Sequence, residues 1–218
     1  MGMNIFSMNS SPMRGIRKIV ELMYLGILWF LCSIPIITLG AATAALYEVL
    51  LKAVKDREGY LTGSFFRAFR DDLGQGIRIW LPIMAAQILF AVNLFYYAVL
   101  GGGNFPVQTV VFALLLGAGA ALFSYVFPVM ARFENTAMGH VRVAAALAIR
   151  NPGWTLMLAA IWALTLFLIW FFVYIPLLFV MGLSGYVQAV ILDRVFEGAI
   201  ERGMIRQEGQ EITQGFFK

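Results

Sequence analysis

Few residues in this chain could carry acid–base or metal chemistry, and their spacing is unpromising for it. His140 is the single histidine and Cys32 the single cysteine. Neither a two-histidine zinc motif nor an intrachain disulfide can therefore form. The adjacent carboxylates Asp71 and Asp72 stand beside Arg67 and Arg70. On a helix they diverge by about 100°, which suits pairing with those arginines better than shared proton transfer. Gly101-Gly102-Gly103 lacks the strand and lysine of a phosphate-binding loop and reads as an external turn. Metal ligands and cofactors are not expected, and the chain reads as non-enzymatic.

The ionisable residue that stands out is Glu48, set two turns inside an apolar stretch. A carboxylate in such a place marks either a functional site or an ion pair, here with Lys52 at i+4. Pro35, Thr38, Gly40, Thr43 and Tyr47 surround it in the stretch Trp29–Val54. Proline and glycine break a helix there and leave backbone groups that a small solute or a partner helix could meet. Cys32 in the same stretch reads as a small packing residue. His140 sits in a basic segment and reads as solvated or facing lipid headgroups. Gln87 and Asn93 are polar groups inside a third apolar segment and face different directions.

These residues sit in a chain of 218 residues that is 61% apolar and 13% charged. Soluble domains carry about 25% charged residues, so the composition is that of an integral membrane protein. The net charge of +4 follows from Lys and Arg clustered beside apolar spans, and nucleic-acid binding is not expected. The polar start, residues 1–13, is too long for a signal peptide.

An apolar run extends from Ile19 through Pro35 and Gly40 to Val54, flanked by Arg14, Arg17 and Lys18 on one side and by Lys52, Lys55 and Arg57 on the other. A single crossing would place these clusters on opposite faces, so residues 19–55 are expected to form a hairpin with its Pro35–Gly40 tip at the outer face. Its returning arm, 41–55, would be only about 22 Å long, so it either crosses a thinned bilayer or is re-entrant. Residues 60–73 predict an amphipathic helix on the inner surface, aromatic on one side and bearing Arg67, Arg70 and Asp71 on the other. Asp72 lies on its apolar side. That charged face is a candidate cytoplasmic docking surface.

A second hairpin is expected over 78–131, with Trp80 at its inner and Tyr96 and Tyr97 at its outer boundary. Its return carries Ala113, Gly117 and Ala121 at four-residue spacing, a pattern for close helix packing. Pro128 is expected to kink its inner end. A short inner helix follows at 137–149. Asn151 and Pro152 then start a third hairpin, 152–195, whose second arm, 177–192, is again spanning or re-entrant. Residues 200–218 form a polar tail. Trp29–Val54 is echoed by Trp170–Val195 at an offset of 141, including Pro35 and Pro176. Next to the place matching Glu48 stands Gln188. Gly15-Ile16-Arg17 also recurs as Gly76-Ile77-Arg78.

The expected fold is thus all-α: a polytopic membrane bundle of about six segments in three hairpins, with short amphipathic helices on the cytoplasmic side and both termini cytoplasmic. On this map the 16 basic and 12 acidic residues lie at the inner side, and the outer turns carry no charge.

The stretches SIPIITLGAATAALYEVLLKAV and FFRAFRDDLGQGIRIW resemble the YesL family of bacterial membrane proteins, a family of unknown function. Pro35, Thr38, Gly40, Ala41, Ala44, Ala45, Leu46 and Tyr47 carry the resemblance, with Phe65, Phe66 and Phe69. It implies a multi-pass protein of the bacterial plasma membrane, often encoded beside carbohydrate ABC-transporter genes. An accessory role in sugar uptake follows, with transporter subunits, the lipid bilayer and further copies of the chain as candidate partners. The alternative is a small-solute transporter or channel in its own right.

Overall fold

The computed structural model describes residues 11–54, 61–100, 106–172 and 176–202, and these are 95% helical, without a strand. Seven α-helices occur among them: α1 (Ser11–Ser33), α2 (Leu39–Val54), α3 (Leu61–Phe95), α4 (Pro106–Arg132), α5 (Ala137–Arg150), α6 (Pro152–Phe172) and α7 (Pro176–Glu201). Of the expected tails 1–13 and 200–218, residues 11–13 instead open α1 and 200–201 end α7, while 1–10 and 203–218, like 101–105 of the expected turn, lie outside the described residues. Ile36–Val54, Thr62–Val99 and Val107–Arg132 are each long and apolar enough to cross a membrane. Val20–Ser33 and Pro152–Thr165 are shorter apolar helices.

Pro35 separates α1 from α2 as its chemistry requires: it adopts an extended conformation and ends the helical ladder. A 3-10 turn over Ile36–Thr38 follows. Thr38 closes the break, donating from its hydroxyl to the Cys32 carbonyl (2.6 Å) and the Pro35 carbonyl (2.7 Å). Trp29 on α1 reaches across and donates to Thr43 Oγ1 on α2 at 3.1 Å.

The helix α2 is the hub. Gly40 through Tyr47 are all buried, as are Val49, Leu50 and Leu51. It packs against α1, α3, α4 and α7. Small residues permit this: Ala41, Ala42, Ala44 and Ala45 are fully enclosed. At Gly40 an added Cβ would fall 2.6 Å from Trp80 Cβ, and at Gly76 one would fall 2.8 Å from the Ala41 backbone. The two glycines let α2 and α3 touch main chain to main chain.

That contact corrects the expected map in two respects. Residues 60–73 do not form a separate surface helix. From Leu61 onward they are the first turns of α3, which continues through Pro82 to Phe95 before a π turn over Tyr96–Leu100. Gly74 and Gly76 carry helix-weakening glycine, but packing on α2 outweighs a cost of about 1 kcal/mol each. Moreover, the Pro35–Gly40 break, expected at the outer face, abuts Gly76 and Trp80, expected at the inner boundary. Trp80 donates from Nε1 to the Ile36 carbonyl at 2.7 Å. Thus α2, about 24 Å long, pairs only with the first half of α3, which is about 52 Å long. Beyond Trp80, α3 pairs with α4 through Phe90 and Phe112 and through Gln87, which donates to the Leu116 carbonyl.

The helix α4 runs unbroken through Pro128. The short inner helix is α5, within one residue of its expected end, and Thr136 caps it by accepting from the Gly139 amide. Asn151 ends α5 rather than capping α6 with its side chain: its Oδ1 accepts from Arg202.

Candidate functional site

Around the broken helix, each polar side chain singled out by its sequence position has a partner inside the fold. Thr38 bonds the break, and Thr43 Oγ1 accepts from Trp29 Nε1 while donating to the Leu39 carbonyl. Tyr47 donates to Gln188 Oε1 at 2.5 Å, with both residues buried. Gln188 is thereby the echo partner of Tyr47, 141 residues on, and α2 and α7 meet in that register. Glu48 pairs with Lys52 at 2.5 Å on a partly exposed edge. Asp72 lies within electrostatic reach of Glu48. Pro35 and Gly40 serve the break and the close approach described above. These six residues therefore build one helix junction rather than line an open chamber.

The docking residues are placed differently. Arg67, Arg70 and Asp71 are exposed and Asp72 is half-buried. The aromatic side of the same segment faces protein instead of lipid: Phe65 is fully buried and Ala68 nearly so. Both belong to the buried core into which α3 packs, chiefly against α2. Among the described aromatics of the segment, Phe66 alone is exposed, at 48%. One exposed stripe follows α3 for its whole length. It carries Arg67, Arg70, Asp71 and Arg78, then switches to Leu81, Ile88, Leu89, Val92 and Phe95.

The small-residue pattern of α4 also faces elsewhere than expected. Ala113 and Gly117 are exposed, and a Cβ on Gly117 would meet nothing within 4 Å. Ala121 is half-buried. Close packing on α3 uses Gly119, where a Cβ would lie 2.4 Å from the Gln87 amide. The four-residue spacing was sound, but it marks a face turned away from this chain's own helices.

His140 is 1% exposed, not solvated. Burial pushes its imidazole down to about 4, against a weaker opposing effect of the Asn135 carbonyl. That carbonyl also accepts from Gln75 Nε2 at 2.8 Å, so one turn residue ties α3 to the α4–α5 junction. A second unforeseen link is Arg132 to Asp193, 2.5 Å apart. The Arg132 guanidinium also lies 5.3 Å from the Phe196 ring centre. It joins α4 to α7 where both become charged. Both links connect segments about 60 residues apart, and nothing local in the sequence announces them.

No group of three or more histidine, cysteine or carboxylate side chains capable of holding a metal occurs among the described residues. Between α3, α4 and α5 lies an apolar groove of about 700 Å³.

Apolar helices of membrane-spanning length, an exposed charge-to-apolar switch along α3 and a buried apolar hub define a helical membrane protein. Residues 22–94, which contain the hub and most of α3, match a family described as "Protein of unknown function, DUF624". Over 199 residues the chain is 26% identical to "Uncharacterized protein YesL" of Bacillus subtilis (strain 168), covering 89% of this chain and 92% of that protein. Together the two matches support a YesL-like family of unknown function. No solved structure matches the chain.

Proposed function

We propose that this protein is a non-enzymatic accessory subunit of the bacterial plasma membrane that presents a cytoplasmic docking face to a transport system for carbohydrate uptake of the ABC type. The observation that carries the reading is the undivided α3. Its exposed stripe bears Arg67, Arg70 and Asp71 at one end and a lipid-compatible surface from Leu81 to Phe95 at the other. A docking face on the same rigid helix as a membrane segment holds a partner in fixed register with the bilayer.

In this reading the chain is multi-pass, with its charged ends and both termini in the cytoplasm. The three hairpins differ in depth. The α1–α2 hairpin is re-entrant: its tip stops beside Trp80, while α3 runs 15 residues further to Phe95. Ile34, Ile36 and Ile37 at that tip are all more than half exposed, which suits hydrocarbon rather than water. The second and third hairpins cross.

The test is affinity capture of the gently solubilised protein from its native host. Transport subunits are expected to co-purify with the wild type and to be lost, or reduced about tenfold, with Arg67→Glu plus Arg70→Glu. Capture that brings no transport subunit contradicts the proposal. The transport reading rests on Glu48 and has less support, since its neighbours Thr43 and Tyr47 are engaged within the fold. If it held, liposomes containing the protein would move a solute at a rate changed by Glu48→Gln.

A further inference from the structure

The groove between α3, α4 and α5 joins an apolar channel to a cation. Pro82, Ile83 and Phe90 on α3 face Leu115 and Leu122 on α4, and Ala145 on α5 helps close one side. Its volume, about 700 Å³, lies within the range of about 300–1,000 Å³ typical of ligand sites. The groove begins at Arg78 and runs along the part of α3 whose exposed stripe is apolar.

Arg78 is exposed and, among the described residues, has no ion-pair partner. Arg142 on α5 is exposed as well. At 100° per residue it lies within about 20° of Ile149, a lining residue, and so at the edge of the face that forms the groove. One end of the apolar trough is thus marked by the Arg78 charge, and Arg142 lies at the edge of its α5 wall. Basic pockets between membrane helices at the cytoplasmic side take anionic lipid headgroups. Gln87 also lines the groove, where its amide donates to the Leu116 carbonyl and lies over Gly119.

We infer that this groove binds one anionic phospholipid, with an acyl chain between α3, α4 and α5 and its headgroup phosphate on Arg78, flanked by Arg142. The inference is independent of which protein docks on α3. An apolar trough of this size inside a bilayer takes acyl chains, and the arginines select the headgroup.

Native mass spectrometry of the full-length protein in mild detergent tests this. The probes are palmitoyl-oleoyl phosphatidylglycerol, the phosphatidylcholine with the same chains, and free glycerol phosphate. Wild type is expected to retain one phosphatidylglycerol with about tenfold preference over phosphatidylcholine, the scale of one hydrogen bond to a charged group. Free glycerol phosphate should not displace it. Arg78→Gln should abolish the preference. Ala118→Phe, which fills the groove from α4, should abolish retention while helicity and elution stay unchanged. If that variant fails to fold, Ala145→Phe fills the groove from the α5 side and decides in its place. No retained lipid, no headgroup preference, displacement by glycerol phosphate, or retention by the filled variants would each overturn the inference.

Discussion

Gly182 shows how single atoms set the packing of this molecule. A Cβ there would sit 1.9 Å from the Leu22 carbonyl oxygen, so α1 and α7 cross with no room for a methyl group. Gly182→Ala is expected to destabilise by about 2–3 kcal/mol or more, the cost of overpacking a fixed backbone. Gly74→Ala, where a Cβ meets nothing within 4 Å, should be neutral or stabilise by up to about 1 kcal/mol. Thermal unfolding in detergent separates the two. Tyr47→Phe strips Gln188 Oε1 of its buried donor and should cost about 1–2 kcal/mol.

His140 supplies a pH dependence of definite sign. Its imidazole is held neutral, down to about 4 from an ordinary 6.5. The unfolded chain therefore takes up a proton that the folded chain refuses. Stability is full above about pH 6.5, falls as pH drops toward 4, and levels off below that. The loss is bounded at roughly 3 kcal/mol by the size of the shift. His140→Phe should flatten unfolding temperature against pH in that window. An unchanged slope would mean the residue titrates alike in both states. The sequence placed His140 in a basic segment but could not show that α5 turns it inward, because burial depends on which face meets α4.

Among the elements, the Pro35 break and α5 were legible because their signals are local: a proline in an apolar run and a short segment set off between two spans. The continuity of α3 was not. Its charged first half and apolar second half look like two elements when only amphipathicity is read. They join because the first half of α3 packs on α2, with Gly76 against Ala41, 35 residues earlier in the chain. The exposed stripe of α3 leads to a direct expectation. Single cysteines placed at Arg70 and Leu89, in a Cys32→Ser background, should differ in the reconstituted protein. The first should react with a membrane-impermeant maleimide applied from the cytoplasmic side, and the second should be shielded by lipid. Equal labelling would remove the charge-to-apolar switch as a membrane boundary.

At the scale of the whole molecule, composition identified a membrane protein, because so few charges cannot cover a soluble surface, and the long apolar spans made it helical. The relative heights of the helices were hidden. They rest on contacts such as Trp80 to Ile36 and Tyr47 to Gln188, which no hydropathy profile encodes. The echo between Trp29–Val54 and Trp170–Val195 came closest, since its offset is the separation of that second pair. The central claim is that the α1–α2 tip ends level with the middle of α3 and leaves the far half of α3 to α4. Spin labels at Ile36 and Phe95, both exposed, measure it by dipolar spectroscopy in a Cys32→Ser background. The tip's contact with Trp80 puts the two labels roughly 20–25 Å apart along α3. A separation below about 15 Å would place the tip level with the end of α3 and contradict the account.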